Sequence, residues 1–339
     1  MKIATALHKL RDKESLSVAE TREIFDSIFL GDVSEEAIAA FLLALHRKSE
    51  TSDEILGAVQ SMRSKALTIK APKEAMDIVG TGGDSKGTFN ISTAAAMAVA
   101  ACGIPVAKHG NRAATSQSGS SDVLAALGVN LDPPIEILEQ CLAEARLCFL
   151  FAPKHHPSMR FVAPVRKKLG VRTIFNLLGP LTNPANVTRY LIGVFSPDWL
   201  KPMAEVLHSL GSRSAWLTHG HDGMDEITTT EKTSVVSLKG DEIHSFIVSP
   251  EDAGLTHALP DELQGGDAAS NANKIRSLLA GEKSAYRDIV TLNAAAALVV
   301  SGKASDLRDG ASMASECLDN GAAQDVLQTL IKLTNQKSS

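Results

Sequence analysis

Residues 108–122 gather Lys108, Arg112, Thr115, Ser116, Ser118, Ser120 and Ser121 around Gly110, Asn111 and Gly119, directly after the apolar run 104–107. The two cations supply positive charge, and the hydroxyls donate hydrogen bonds without filling the space a ligand needs. The glycines let the backbone turn sharply and come close to that ligand. Such a segment suits a polyanion of phosphate size. The bland alternative is a solvated Ser/Gly loop with incidental charge, and a second loop counts against it. The stretch 76–79 reads as a buried strand, and Gly80-Thr81-Gly82-Gly83-Asp84 follows at once. Thr88-Phe89-Asn90-Ile91-Ser92-Thr93 then opens an Ala-rich run over 94–101 that Gly103 can end. A strand, a glycine loop and a helix start rich in hydroxyls hold anions well, because free backbone N–H groups and the positive helix end face the ligand.

Named phosphate patterns do not fit. No Gly-Lys-Ser/Thr follows at Walker A spacing, and Ser85 stands where a dinucleotide fingerprint needs its third Gly or Ala. Asp84 among phosphates calls for a ribose hydroxyl or a metal beside it; otherwise it is a carboxylate capping its own turn. Asp225-Glu226 closes a Gly/His-rich segment that begins at His219-Gly220. Taken alone, that pair reads as solvated loop charge. His219 and His221 lack a third ligand at zinc-like spacing.

These segments, in this order and together with Asn176-Leu177-Leu178-Gly179-Pro180-Leu181-Thr182-Asn183-Pro184, resemble the anthranilate phosphoribosyltransferase family. Weaker likeness at Gly265-Gly266-Asp267 and Asn293-Ala294-Ala295-Ala296 extends the resemblance almost to the C-terminus. The resemblance implies transfer of the 5-phosphoribosyl group from phosphoribosyl pyrophosphate (PRPP) to the amine of anthranilate. The products are N-(5-phosphoribosyl)anthranilate and pyrophosphate, a step of tryptophan biosynthesis. It assigns PRPP to Gly80, Gly83, Asp84, Thr88, Asn90, Ile91, Ser92 and Thr93, and to Lys108, His109, Gly110, Asn111, Arg112, Ala113, Ala114, Thr115, Ser116 and Ser120. Anthranilate falls to Gly80, Asn111 and Arg166, whose planar fork suits a carboxylate. Two Mg²⁺ ions are implied, one on Ser92 and Glu226, the other on Asp225 and Glu226.

No acid–base residue is singled out, because the aromatic amine is already neutral and positioning with electrostatics can carry the reaction. Lys108 is expected to meet phosphate as a flexible point charge, and Lys167 and Lys168 to form a solvated face. His109 either lines the acceptor slot or is structural. His155 stands where the family commonly has an aromatic residue, and could still stack on the incoming ring. Thr115 replaces the first of two serines and keeps its hydroxyl. Two rivals stand beside this reading: a pyrimidine-nucleoside-phosphorylase-like enzyme, which needs only one free phosphate, and a non-catalytic nucleic-acid-binding relative.

Composition agrees with a small-molecule enzyme. The formal net charge of -5 over 339 residues opposes general nucleic-acid binding. Cys102, Cys141, Cys148 and Cys317 show no CxxC spacing and are expected as reduced thiols. With no apolar leader core and no run long enough to span a bilayer, a cytoplasmic protein is expected, without membrane contact.

The elements that position these loops follow from periodicity. Residues 1 to about 68 read as helical, with capping boxes at Ser17-x-x-Glu20 and Thr51-x-x-Glu54 and a helix start at Ser34. The faces Ile24/Phe25/Ile28/Phe29 and Phe41/Leu42/Leu45 exceed what three helices can bury among themselves, and the family pairs subunits here, so a homodimer is expected. From about residue 75, apolar runs 76–79, 104–107, 147–151, 190–195 and 215–218 alternate with helical stretches, which implies a mostly parallel central sheet flanked by helices. Residues 234–238 and 243–248 read as an antiparallel hairpin, 252–281 as loop and short helix, and 289–301 and 311–330 as closing helices. The expected division is a helical domain at 1–70, completed by about 157–185, and an α/β domain at 71–156 and 186–335. The inserted segment is implied by the resemblance alone.

Overall fold

The computed structural model describes residues 2–112 and 117–336. Both capping boxes form: Ser17 and Thr51 accept from the backbone N–H of Glu20 and Glu54, whose carboxylates reach back to the cap. They open α2 (Val18–Leu30) and α4 (Ser52–Ser64), and Ser34 caps α3 (Glu35–Lys48). The sequence reading missed α1 (Ile3–Arg11), whose first turn has no side-chain cap to announce it. Its Ala6 and Leu10 are buried, and the helix packs on α3.

The apolar faces of α2 and α3 are not left over for a second subunit. Phe25, Phe29 and Phe41 are buried within the chain, and Phe25 packs on Phe41 and on Phe175 at ring separations of 6.0 and 5.7 Å. Phe175 begins the helix Phe175–Leu181, which packs on α4; the turn Pro157–Phe161 packs on α2, and the helix Ala163–Leu169 on α3. The mid-chain segment thus supplies the apolar surface that the N-terminal helices require.

Seven strands form one sheet: β1 (Met76–Gly80), β2 (Val106–Gly110), β3 (Leu147–Phe151), β4 (Arg189–Gly193), β5 (Ser214–Gly220), β6 (Thr233–Lys239) and β7 (Glu242–Val248). Their order is β3-β2-β1-β4-β5-β6-β7; the first five run parallel, and β6 and β7 form the expected antiparallel hairpin. Successive strands move outward from β1 to β3, after which the chain returns to the other side of β1 with β4. The pair β1/β4 is therefore the switch point, where a crevice opens beyond the carboxyl ends. Gly80 pairs with Gly193 at that edge.

Two strands run further than their apolar residues suggested. β2 continues through Lys108, His109 and Gly110, paired with Phe149, Leu150 and Phe151, so these residues are strand and not loop. β5 likewise takes in His219 and Gly220. Helix α5 (Ile91–Ala101) is buried almost throughout, packed on Ala285–Ser301 and Ala322–Thr334. The expected closing helix at 289–301 is present as Ala285–Ser301, and that at 311–330 is two helices, Leu307–Asp319 and Ala322–Thr334, separated at Gly321 with φ +84°. The stretch 252–281, expected as loop and short helix, holds a twelve-residue helix, Ala268–Leu279, capped by Asp267. Among the described residues, no helix is long and apolar enough to cross a membrane.

Candidate active site

A cavity of ≈ 630 Å³ opens at the carboxyl ends of β1 and β2, facing the mid-chain helices. Every described residue of the expected set lines it, from Gly80 through Ser120 to Arg166, Asp225 and Glu226. Ala113, Ala114, Thr115 and Ser116 lie outside the described residues.

The carboxylate pair is held against the strand ends. A Cβ on Gly193 would fall 1.5 Å from the Asp225 carbonyl oxygen, and one on Gly80 2.5 Å from Asp225 Oδ2. Only glycine at both positions leaves this place for Asp225. Its Oδ2 accepts from Gly82 N–H at 2.7 Å, and its own N–H faces Asp84 Oδ2 at 3.4 Å. Asp84 Oδ1 also caps its loop by accepting from Lys86 N–H. Behind the pair, Asn293 accepts from Ile227 N–H at 3.1 Å and donates to Ile227 O at 2.8 Å, which fixes the backbone just past Glu226.

Three carboxylates converge with little compensation. Burial, then Asp84 and Glu226, push Asp225 well above the usual carboxylate range. Burial raises Glu226 to about 7 against the pull of Lys108, with Asp84 adding to the rise. A divalent cation would relieve this shortage of positive charge. Among the described residues, no three His, Cys, Asp or Glu side chains form a metal site by themselves. Two carboxylates and the Ser92 hydroxyl instead suit a hard ion that takes its remaining ligands from substrate phosphates and water, which is the habit of Mg²⁺.

Lys108 is not the flexible phosphate hook expected of it. It is 3% exposed, and its Nζ donates to Ile78 O at 2.6 Å and Ser92 Oγ at 3.1 Å. Burial pushes its pKa down, opposed by Asp77 and Glu226. It is a fixed cation on the cavity floor. Beside it, Asp77 accepts from His109 N–H at 3.1 Å and from Asn183 Nδ2 at 2.7 Å, while burial raises its carboxyl to about 6. Asn183 also donates to Ala107 O at 2.7 Å, tying the end of the 176–184 motif to β1 and β2.

Arg166 lines the opposite wall, its guanidinium 5.4 Å from the Phe175 ring centre and without an ion-pair partner among the described residues. A cation beside apolar surface, with no carboxylate of its own, suits an aromatic carboxylate. His109 Nδ1 lies 3.0 Å from Gly179 O, so it carries the proton, and the ring packs edge-on against His156 at 5.2 Å. His155 does not line the cavity. Its Nδ1 is held 2.6 Å from Leu67 O, so it anchors the chain after α4 and is not placed to stack on an acceptor ring. Lys168 pairs with Glu35, and Lys167 is exposed.

The lead-in to α5, residues 88–90, is braced by residues that sequence reasoning left unassigned. Asn271 donates to Asn90 Oδ1 at 2.9 Å and accepts from Gly266 N–H at 2.8 Å. Tyr286 packs on Phe89 at 4.7 Å and donates to Asn90 O at 3.3 Å. A Cβ on Gly265 would lie 2.6 Å from Thr88 O, which explains why glycine stands in that motif. His219 and His221 are taken up by Val194 O and Ser234 Oγ. Asp222, just ahead of the carboxylate pair, accepts from the Thr228 and Thr230 hydroxyls and from Met224 N–H, so it organises this loop.

Comparison with known proteins agrees with this geometry. Residues 72–324 match the α/β domain of a glycosyl transferase family, and residues 4–66 match its helical bundle domain. The chain is 54% identical to the anthranilate phosphoribosyltransferase of Paramagnetospirillum magneticum, over 96% of this chain and 94% of that protein. It belongs to the anthranilate phosphoribosyltransferase family. The family member of Parvibaculum lavamentivorans is 52% identical, over 99% of this chain and 98% of its own. Among solved structures, the enzyme from Thermus thermophilus superposes with a TM-score of 0.92 at 42% identity, covering 98% of this chain and 99% of that one. The Saccharomyces cerevisiae enzyme, solved in complex with PRPP and Mg, gives 0.90 at 26% identity, covering 98% and 97%.

Proposed function

We propose that the cavity binds PRPP and anthranilate with Mg²⁺, and that the chain transfers the 5-phosphoribosyl group to the anthranilate amine with release of pyrophosphate. The observation that carries this is the division of the cavity. The glycine loop, the start of α5 and the Asp84/Asp225/Glu226 cluster line it from the sheet, while Arg166 and Phe175 line it from the mid-chain helices. The first set fits a metal–pyrophosphate, the second a flat ring with one carboxylate. A nucleoside phosphorylase handling a single phosphate has no use for three converging carboxylates.

Ser92, Asp225 and Glu226 are the residues proposed to hold Mg²⁺, at two ions per site. Bound Mg²⁺ supplies neutralisation of the charge that develops on departing pyrophosphate. The chain's own residues hold and orient. Gly80 to Asp84 and the first turn of α5 cradle phosphate, Lys108 adds a fixed positive field from below, and Arg166 aligns the acceptor so that its neutral amine meets the ribose carbon. No side chain is required to take a proton before attack.

The division into a helical domain at 1–70 with about 157–185, and an α/β domain at 71–156 and 186–335, belongs to the same proposal, as does the homodimer. The homodimer rests on the family resemblance, since the apolar faces first offered for it are buried within the chain. Light scattering tests it, and a monomer mass at micromolar concentration would remove it. For the activity, the purified chain is mixed with PRPP, Mg²⁺ and anthranilate, and loss of anthranilate fluorescence is followed. No loss with all three present, under conditions where the protein is folded, overturns the assignment.

A further inference from the structure

Helix α5 begins in the cavity wall and ends at Cys102, on the far side of the domain. There the Cys102 sulfur lies 3.3 Å from the sulfur of Cys317, a residue 215 positions later in the chain. Cys317 is on Leu307–Asp319, a helix that packs on α5 and on Ala285–Ser301. Both thiols are half-buried, whereas Cys141 and Cys148 are buried. Two thiols from separate helices, in contact and reachable from solvent, differ physically from four scattered cysteines.

We propose that Cys102 and Cys317 form a redox-active pair that a low-molecular-weight disulfide converts to an intramolecular disulfide, stapling α5 to Leu307–Asp319. The sulfurs need to approach by only about 1 Å to reach bonding distance. Burial and the adjoining Cys317 sulfur push the Cys102 thiol up; the exchange balances whichever thiol opens it, for instance Cys317. Its thiolate attacks one sulfur of the small disulfide, and the other leaves as a thiolate that solvent protonates. Cys102 then gives up its proton to solvent and attacks the Cys317 sulfur, releasing the second small thiol. Two protein thiols are oxidised, one small disulfide is reduced, and one protein S–S bond replaces one small-molecule S–S bond.

The staple sits one length of α5 from the site, about 16 Å at 1.5 Å per residue. It touches no residue of the cavity wall, so its direct effect is on stability. Closing so long a loop removes many conformations of the unfolded chain, and the oxidised protein therefore unfolds at higher temperature. In a reducing compartment the pair stays as thiols and responds when small disulfides accumulate.

The test uses the full chain with oxidised glutathione. Free thiols counted after quenching in denaturant should fall from four to two, and peptide mapping should join Cys102 to Cys317. Dithiothreitol should restore all four, and Tm should be higher oxidised than reduced. Cys102→Ser and Cys317→Ser should each lose the internal link and the Tm rise; Cys102→Ala repeats the test should serine disturb the helix end. Four thiols remaining, a link through Cys141 or Cys148, disulfides only between chains, or an oxidised form of lower Tm would each overturn the proposal.

Discussion

Gly193→Ala tests whether the strand ends set the place of the carboxylate pair. The new methyl would start 1.5 Å from Asp225 O and 2.3 Å from Asp225 C, whereas ordinary contact with carbon needs about 3.5 Å. Strand and loop must therefore separate by about 2 Å. The obstacle is backbone on both sides, and the loop cannot simply slide. Asn293 holds Ile227 through both of its main-chain polar groups, while Gly193 is paired with Gly80 and Thr218. Overpacking of this kind costs about 1–3 kcal/mol or more, and a displacement of about 1 Å at reacting groups costs about a hundredfold in rate. The expected outcome is a lower urea midpoint and a kcat reduced at least about a hundredfold at saturating substrates. Gly80→Ala should be milder in stability, because its methyl meets the tip of the Asp225 side chain, which can rotate away on giving up the bond from Gly82 N–H. That loss is about 0.5–1.5 kcal/mol, with kcat still down at least about tenfold. Steady-state kinetics and urea unfolding on both variants decide it. If Gly193→Ala keeps the parental kcat and midpoint, the loop yields freely and the glycine pair does not position Asp225.

Asp225→Asn and Glu226→Gln should lower kcat at least about a hundredfold and raise the Mg²⁺ concentration for half-maximal rate, while Tm stays level or rises because repulsion with Asp84 is relieved; parental Mg²⁺ titrations would end the metal assignment. Asp222→Asn weakens the acceptor shared by the Thr228 and Thr230 hydroxyls and Met224 N–H, so it should lower stability by about 1–3 kcal/mol, read as a urea midpoint. Arg166→Ala should raise the anthranilate KM about tenfold or more while moving the PRPP KM much less; equal weakening of both would place Arg166 elsewhere. Asp77, raised by burial from 3.8 to about 6, holds its proton more tightly when folded, so this group costs stability progressively as pH rises from about 4 to about 6, with no further change above. Asp77→Asn cannot titrate, so its stability relative to the parent should improve across that window, and a difference that stays constant by urea unfolding at both ends would refute the shift.

Local signals were enough for much of this molecule. Ser17, Gly31, Ser34 and Thr51 act at helix ends as their types predict, because a cap needs only neighbours within one turn. The parallel sheet followed from strand–helix alternation, and the hairpin from its short polar turn. The described residues expected around the ligand share one cavity because, Arg166 apart, their motifs lie at strand ends, helix starts and the loop after β5 on one edge of the sheet. Without the family resemblance, however, Asp225 and Glu226 would have passed for surface charge.

What local pattern could not show is everything that depends on which surfaces meet. Lys108 and His109 read as loop because they are polar, yet they are buried in β2, where Ile78 O takes the Lys108 ammonium, Asp77 the His109 backbone N–H and Gly179 O the His109 Nδ1. The apolar faces of α2 and α3 looked like surplus until Phe175, from the mid-chain segment, packed on α2, and α1 with the helix Ala163–Leu169 packed on α3. His155 and Asp222 carried no mark of their structural work, which lies in contacts with Leu67 and with Thr228 and Thr230. Gly193 was passed over because the reason for glycine there, the Asp225 backbone, arrives from 32 residues further along the chain. Sequence determines the propensity of each segment. Whether a buried charge, a bare strand end or an exposed apolar face is tolerable depends on a partner from elsewhere in the chain, and only the folded arrangement supplies it.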